Sequence, residues 1–154
     1  MPRKSAGILL YRVRNGELEI LAVHPGGPFW VKRDLGSWFI PKGEIEPGED
    51  EFAAAKREFQ EETGFDLRGP FLDLGEVRHK GGKIVHAWAA EGDCDPAQIV
   101  SNTFTIEWPP KSGRRQSFPE VDRAVFFRLP AARQKLHPAE FELVERLNSA
   151  LNAG

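Results

Sequence analysis

Two runs of apolar and β-branched residues near the start of the chain have the length and composition of β-strands. They span residues 6–14 and 17–24, and Asn15-Gly16 lies between them. Because a type I′ turn requires positive φ at both central residues, Asn-Gly between two such runs predicts a β-hairpin. A loop rich in Gly and Pro follows at 24–36, and residues 38–40 predict a short strand that ends at Pro41.

A helix is predicted at about residues 50–63. Asp50 can cap its N-terminus, and Gly64 supplies the left-handed conformation in which helices commonly end. On a helical wheel, apolar side chains occupy one face and three glutamates form a stripe beside it. The apolar face consists of Phe52, Ala55 and Phe59, and the stripe consists of Glu58, Glu61 and Glu62. We therefore expect the apolar face to pack on a sheet with the carboxylates beside it.

The second half of the chain predicts more strands and one more helix. Residues 72–79 and 83–90 predict a hairpin around Gly81-Gly82, and residues 103–108 and 121–129 predict two strands. The loop between those two strands is basic and contains Lys111, Arg114 and Arg115. Residues 138–151 predict a helix with Val144, Leu147 and Leu151 on one face. This order of elements predicts one α+β domain over residues 1–154, or a three-layer sandwich, in which helices cover a sheet.

Composition narrows the class of protein. The chain has 154 residues, of which 40% are hydrophobic and 29% are charged, as in soluble globular domains. No apolar run approaches the roughly 18 residues of a membrane span, and no signal peptide is expected. A single cysteine, Cys94, excludes an internal disulfide and a thiolate zinc site. The net charge of −2 gives no footprint for a nucleic-acid polymer, so we expect a cytoplasmic protein with a small ligand.

Negative charge is concentrated in one segment. Residues 42–62 contain eight acidic and three basic side chains. Neighbouring carboxylates at i, i+3 and i+4 on a helix repel one another, which a bound cation relieves. Oxygen ligands favour Mg²⁺ or Mn²⁺ over zinc or copper. A solvated helix face is the alternative interpretation of such a segment.

The same segment resembles the signature of the Nudix hydrolases. Gly43 is followed after five residues by Glu49, and after seven more by Arg57-Glu58-Phe59-Gln60-Glu61-Glu62-Thr63-Gly64-Phe65. Every glycine, glutamate and arginine of the pattern is present at the family's spacing. Phe59 departs from it, because the family usually has an aliphatic residue there, and we interpret this as a change in packing.

The resemblance implies an α/β/α sandwich with a mixed sheet and a metal-dependent attack by water on phosphorus. The family's metal ligands would correspond to Glu58, Glu61, Glu62 and the backbone carbonyl of Gly43. Glu58 would also help to orient or deprotonate the water. Glu49 and Arg57 would form a salt bridge that fixes the loop against the helix.

Residues outside this signature complete the predicted site. In this family a general base or an extra metal ligand often lies elsewhere in the chain, and Glu120 is the best candidate, with Glu107 weaker. Lys42, adjacent to Gly43, is predicted to neutralise phosphate charge, and Lys32 and Arg33 are predicted to reach a longer polyphosphate. Trp30, in the same loop as these last two, is a candidate platform for stacking a base, and His24 is a candidate substrate contact.

The substrate class is predicted from weaker features. The entry segment from Trp38 to Gly43 and the basic loop residues resemble diadenosine polyphosphate hydrolases, so a dinucleoside polyphosphate such as diadenosine tetraphosphate is the expected substrate. Some of those enzymes carry a tyrosine downstream of the signature, whereas the only tyrosine here is Tyr11. The alternatives are a nucleoside triphosphate or ADP-ribose, a nucleotide-sensing module without catalysis, and an isoprenoid diphosphate isomerase. The oligomeric state stays open.

Overall fold

A mixed sheet of six strands forms the centre of the computed structural model, which describes residues 3–153. The strands in chain order are β1 Lys4–Arg14, β2 Glu17–Pro25, β3 Lys42–Glu44, β4 Phe71–Arg78, β5 Ile84–Glu91, β6 Thr103–Glu107, β7 Arg115–Pro119 and β8 Val121–Arg128. The order in the large sheet is β4-β5-β1-β2-β8, and β3 pairs with β1. The β1–β5 pair is parallel and the other pairs are antiparallel.

Helices cover both faces of this sheet. They are α1 Glu51–Thr63, α2 Leu129–Lys135 and α3 Pro138–Asn152. One buried cluster joins the sheet to α1 through Ala55 and Phe59, and a second joins the opposite face to α3 through Val144 and Leu147. Alternate residues of β1 therefore serve different layers, because successive side chains of a strand point to opposite faces. The three-layer α+β arrangement expected from the sequence is confirmed.

The predicted signals for α1 are confirmed. The Asp50 carboxylate accepts a hydrogen bond from the Ala53 N–H at 3.0 Å. Gly64 has φ of 80° and donates its N–H to the Gln60 carbonyl at 2.7 Å. The first hairpin is also confirmed, with Asn15 and Gly16 both at positive φ.

The strand predicted at residues 38–40 is wrong. Phe39 exchanges two hydrogen bonds with Val23, whereas Trp38 donates to the Lys135 carbonyl near the end of α2. Because the partner changes from one residue to the next, only isolated bridges form and no ladder develops. The true strand, β3, begins after Pro41.

Two elements were not expected. Arg115, assigned to a basic loop, begins β7, which pairs with β6 in a separate two-stranded sheet. All β7 residues except Phe118 are exposed, so β7 lacks the alternation that marks a half-buried strand, whereas β6 has it. The strand predicted to reach Leu129 ends one residue earlier, because Leu129 begins α2, with Pro130 in its first turn.

Within residues 3–153, no helix is both long and apolar enough to cross a membrane.

Candidate active site

The three predicted ligand glutamates lie on α1 where β3 crosses its flank. Gly43 of β3 lies directly against Glu58, since a Cβ atom on Gly43 would come within 2.0 Å of the Glu58 carboxyl carbon. A larger residue at position 43 would have to displace the Glu58 carboxylate from this position. The structure therefore brings together Gly43 and Glu58, as the sequence predicted.

Arg57 ties the loop before α1 to two of these carboxylates. Its Nε and Nη2 donate to the two Glu49 oxygens at 2.8 and 2.9 Å, so the predicted ion pair is formed in a bidentate geometry. Its Nη1 donates to Glu58 at 2.9 Å and to Glu61 at 3.1 Å. Hydrogen bonds from Arg57 lower the pKa of Glu49 to about 2. Arg57 thus fixes the relative positions of the loop and of two predicted ligands.

The pKa values of two of the predicted ligands, Glu62 and Glu58, are raised, so their charged forms are unfavourable without a counter-charge. Burial raises the pKa of Glu62 to about 8, although the Lys42 charge acts in the opposite direction. Burial also raises the pKa of Glu58, against the effect of Arg57. Carboxylates in this condition take up either a proton or a cation. An all-oxygen donor set, with a glycine that admits the backbone beside it, fits a hard divalent cation such as Mg²⁺ or Mn²⁺.

Glu120, which lies between β7 and β8, joins this group from a distant part of the chain. It lines a small cavity of about 110 Å³ together with Lys42 and Glu62. Burial and the nearby Glu61 charge raise the pKa of Glu120. The complete lining is Val23, Pro25, Phe39, Ile40, Lys42, Glu62, Glu120 and Val121. The structure therefore places Glu120 beside the predicted ligands.

A chain of backbone hydrogen bonds connects Glu120 to the end of α1. The Glu120 N–H donates to the Asn102 carbonyl, and the Asn102 N–H donates to the Glu61 carbonyl, both at 2.8 Å. The Glu120 carbonyl in turn accepts from the Gly26 N–H at 2.9 Å. A Cβ atom on Gly26 would lie 2.0 Å from the Pro119 carbonyl oxygen, so Gly26 is needed for this contact. The position of Glu120 is thus set by α1 and by the loop after β2.

Lys42 lies between two carboxylates. Its ammonium contacts Glu140 of α3 at 2.9 Å, and its backbone N–H donates to Glu62 at 3.3 Å. Its side chain is 10% exposed and its ammonium lies 4.3 Å from the centre of the Phe39 ring. The ammonium that the sequence assigned to phosphate therefore has an internal partner.

Glu140 is fully buried and was not predicted as a site residue. One of its oxygens accepts from the Ile40 N–H at 2.9 Å, and the other contacts His79 Nε2 at 2.8 Å as well as Lys42. Burial alone would raise the pKa of Glu140, but Lys42 and these hydrogen bonds outweigh it and lower the pKa to about 2.

The sequence contained a signal for Glu140. It precedes Val144 by four residues and Leu147 by seven, so it lies on the apolar stripe of α3. A charged residue on such a stripe indicates a buried partner. Lys83 was also missed: it approaches Lys42, and burial lowers its pKa.

The loop after β2 carries the remaining candidates. The Arg33 guanidinium lies 5.2 Å from the Trp30 ring, and the Trp30 ring meets Phe39 edge-on at 5.7 Å. Phe39 lines the cavity, so Trp30 is separated from it by one side chain and Arg33 lies against Trp30. Lys32 is exposed, and no hydrogen bond or ion pair described for residues 3–153 joins it to the carboxylates. His24 is fully buried and contacts Asp122 and the Arg33 carbonyl, so its role is to hold the loop.

A second acidic group lies at the start of α1, away from Glu62. Glu51, Glu76 and His86 place ligand atoms within 4.8 Å of one another. The Lys4 ammonium already contacts both glutamates, at 2.9 Å for Glu51. This group is therefore supplied with positive charge by the chain itself.

Comparisons with known proteins identify the family of this chain. The NUDIX domain model matches residues 1–147. A bis(5'-nucleosyl)-tetraphosphatase (asymmetrical) of Rattus norvegicus is 31% identical over 103 residues, which cover 59% of this chain and 66% of that protein. The corresponding protein of Caenorhabditis elegans is 41% identical over 60 residues, 39% of each chain. The matched region thus spans two thirds or less of these curated relatives.

The fold has solved counterparts. A crystal structure of a C. elegans Ap4A hydrolase binary complex superposes with a TM-score of 0.69 at 22% identity, and the match covers 97% of this chain and 99% of that one. At that identity the likeness shows the fold.

Proposed function

The chain belongs to the NUDIX family, and from this premise we propose that it is a metal-dependent pyrophosphohydrolase of nucleotides. Its expected substrate is a dinucleoside polyphosphate such as diadenosine tetraphosphate. The observation that carries the proposal is the convergence of Glu58, Glu61 and Glu62 with Gly43 and, across a cavity, with Glu120. No member of the family's glutamate set is missing, which favours hydrolysis over sensing.

Glu58, Glu61, Glu62 and the Gly43 carbonyl would hold Mg²⁺ or Mn²⁺. A bound cation of this kind neutralises phosphate oxygens and lowers the pKa of coordinated water. Arg57 keeps Glu58 and Glu61 in place through its contacts with both. Rigid support of this kind matters because small displacements of reacting groups are costly.

Glu120 is proposed as the group that accepts the proton of the attacking water. It faces the same cavity as Glu62 and its pKa is raised, so its proton affinity is closer to that required at neutral pH. Glu58 is the alternative within α1. Arg57 contributes by positioning.

Lys42 and three residues of the loop after β2, Trp30, Lys32 and Arg33, are proposed to bind the polyphosphate and a base. Lys42 retains ammonium donors beyond the one directed at Glu140, and Arg33 and Lys32 extend positive charge along the loop. Trp30, beside Phe39, is proposed to stack a nucleobase. The relatives named as tetraphosphatases support this substrate class. We further propose a cytoplasmic location and no membrane or nucleic-acid polymer as partner.

The test is a panel of nucleotides incubated with and without Mg²⁺, with products separated by ion-exchange chromatography. The panel contains diadenosine tetraphosphate, ADP-ribose, nucleoside triphosphates, 8-oxo-dGTP and a nucleotide sugar. The Glu61→Gln variant is the matched control, because it keeps the shape of the side chain and removes one ligand charge. We expect ATP and AMP from diadenosine tetraphosphate only with metal and intact Glu61.

Other outcomes separate the alternatives. Faster cleavage of ADP-ribose or of a nucleoside triphosphate would replace the substrate and retain the chemistry. Binding of a nucleotide without cleavage of any panel member would contradict hydrolysis and favour the sensing role.

A further inference from the structure

We propose that Glu140 is a positioning residue that holds the Lys42 ammonium away from Glu62 and so leaves Glu62 free to bind the divalent cation. This inference rests on the proposed function, because it assigns Glu62 to the metal site. It gives a role in that site to a residue of α3, the helix on the opposite face of the sheet from α1.

Lys42 is placed where it could neutralise either of two carboxylates. Its backbone N–H already bonds Glu62 at 3.3 Å, and its positive charge acts on the Glu62 carboxylate. Its ammonium, at the end of a flexible four-carbon stem, is held at 2.9 Å from Glu140. The backbone N–H of Lys42 thus bonds Glu62, whereas its ammonium contacts Glu140.

Glu140 is suited to hold this ammonium because the carboxylate is itself fixed. It is fully buried, and the Ile40 N–H and His79 Nε2 occupy its oxygens at 2.9 and 2.8 Å. Ile40 lies two residues before Lys42, so a single carboxylate fixes both the backbone approach to β3 and the lysine head group. A surface glutamate without these contacts would not define one position.

Loss of the Glu140 charge would change the partner of Lys42. A buried ammonium needs an anion, and Glu62 is the carboxylate to which Lys42 is already joined through its backbone. An ammonium on Glu62 would occupy a ligand oxygen and repel a cation at short range. Glu140 therefore protects the metal affinity of the site without touching the metal.

The experiment measures Mn²⁺ binding by calorimetry and by electron paramagnetic resonance, without substrate. The proteins are the wild type, Glu140→Gln, Lys42→Met and the double variant Glu140→Gln/Lys42→Met. Glu142→Gln is the matched control, because Glu142 is on the same helix, is exposed and pairs with Arg146. We expect Glu140→Gln to weaken Mn²⁺ binding by about tenfold, and Glu142→Gln to leave it unchanged.

The double variant distinguishes positioning from general structural damage. Without the lysine, Glu140 has no ammonium to hold, so Lys42→Met and the double variant should bind Mn²⁺ equally, and both more tightly than Glu140→Gln. If Glu140→Gln binds Mn²⁺ like the wild type, or if the double variant binds more weakly than Lys42→Met, the inference is wrong. The second of these comparisons decides the matter even if Glu140→Gln alone does not fold.

Failure of the proposed function has a different signature. A wild-type protein that binds no Mn²⁺ would overturn the metal-dependent activity and, with it, this role of Glu140. A wild type that binds Mn²⁺ while Glu140→Gln is unaffected would overturn only the role of Glu140.

Discussion

Glu62, which is half-buried, and Glu140, which is fully buried, lie on either side of Lys42, and their pKa values are shifted in opposite directions. The pKa of Glu140 is about 2, because an ammonium and further hydrogen bonds compensate its burial. The pKa of Glu62 is about 8, because the Lys42 ammonium is directed elsewhere and burial dominates. The charge of Glu140 is thus compensated by an ion pair with Lys42, whereas the charge of Glu62 is not compensated by an ion pair. An uncompensated carboxylate beside Gly43 fits the proposed metal site, and the Lys42 ammonium leaves Glu62 uncompensated because it contacts Glu140 instead.

The largest expected effect is a loss of activity when the charge of a predicted metal ligand, Glu62 or Glu61, is removed. Glu62→Gln and Glu61→Gln should each lower kcat by on the order of 10²–10³, because each removes a charge that would act on the reacting phosphate through the metal. Glu62→Gln should not reduce the thermal midpoint, since no ion pair of Glu62 is found within residues 3–153, and Glu61→Gln should reduce it only slightly, because its pair with Arg57 is partly exposed. Steady-state kinetics and thermal unfolding of the same preparations measure both quantities. Near-normal kcat in both variants would remove these residues from the metal site.

The next largest effect is expected from replacement of Glu120, which tests whether this residue is the general base of the site that contains Glu62. As a general base, its replacement in Glu120→Gln should lower kcat by about 10² and remove the acidic limb of the pH–rate profile. Gly26→Ala should displace Glu120 through the Pro119 carbonyl and produce a smaller loss of the same kind.

The control is the double variant that combines Glu120→Gln with Gly26→Ala. If Gly26 acts through Glu120, the double variant should be no slower than Glu120→Gln alone, because the positioned group is already absent. An unchanged pH–rate profile in Glu120→Gln would instead assign the base to another residue, with Glu58 the first candidate.

Removal of the compensated carboxylate should mainly affect stability. Glu140→Gln breaks the buried ion pair with Lys42, and breaking one side of such a pair typically costs about 3–5 kcal/mol, a cost that pairing of the ammonium with Glu62 would offset only in part. We expect the free energy of unfolding in urea to fall by about 3 kcal/mol, since glutamine can still accept from the Ile40 N–H. Glu142→Gln should change it by less than about 0.5 kcal/mol, because exposed pairs contribute little. A loss for Glu140→Gln as small as this control would show that the buried pair is not stabilising.

These contrasts also show what the sequence could predict. The first hairpin, α1 and the glutamate stripe depend on local signals such as Asn15-Gly16, Asp50 and Gly64, and each formed as expected. The pairing of Lys42 with Glu140 joins residues that only the folded sheet brings together, and no local pattern specifies it. The presence of Glu140 on an apolar stripe could have predicted a buried partner but not its identity. The strand predicted at residues 38–40 was wrong for a related reason. Alternation predicts an extended backbone, but it does not show whether one neighbouring strand pairs with the whole segment.

The smallest expected effect is the pH dependence of stability, and its sign differs between the two glutamates. Because the pKa of Glu62 is raised in the folded state, the folded protein binds the additional proton, and stability falls as pH rises from about 4.5 towards 8. The pKa of Glu140 is lowered, so its contribution to stability is complete above about pH 4.5 and is lost as pH falls towards 2.

Urea unfolding in EDTA tests the sign for Glu62. Between pH 5 and 8, the free energy of unfolding of Glu62→Gln should rise relative to that of the wild type by on the order of 1 kcal/mol. Glu142→Gln should show no such gain. Saturating Mn²⁺ should abolish it, because a bound cation favours the ionised carboxylate of the wild type and the variant lacks that ligand. A gain that persisted in Mn²⁺ would mean that Glu62 is buried for structural reasons and does not bind the metal.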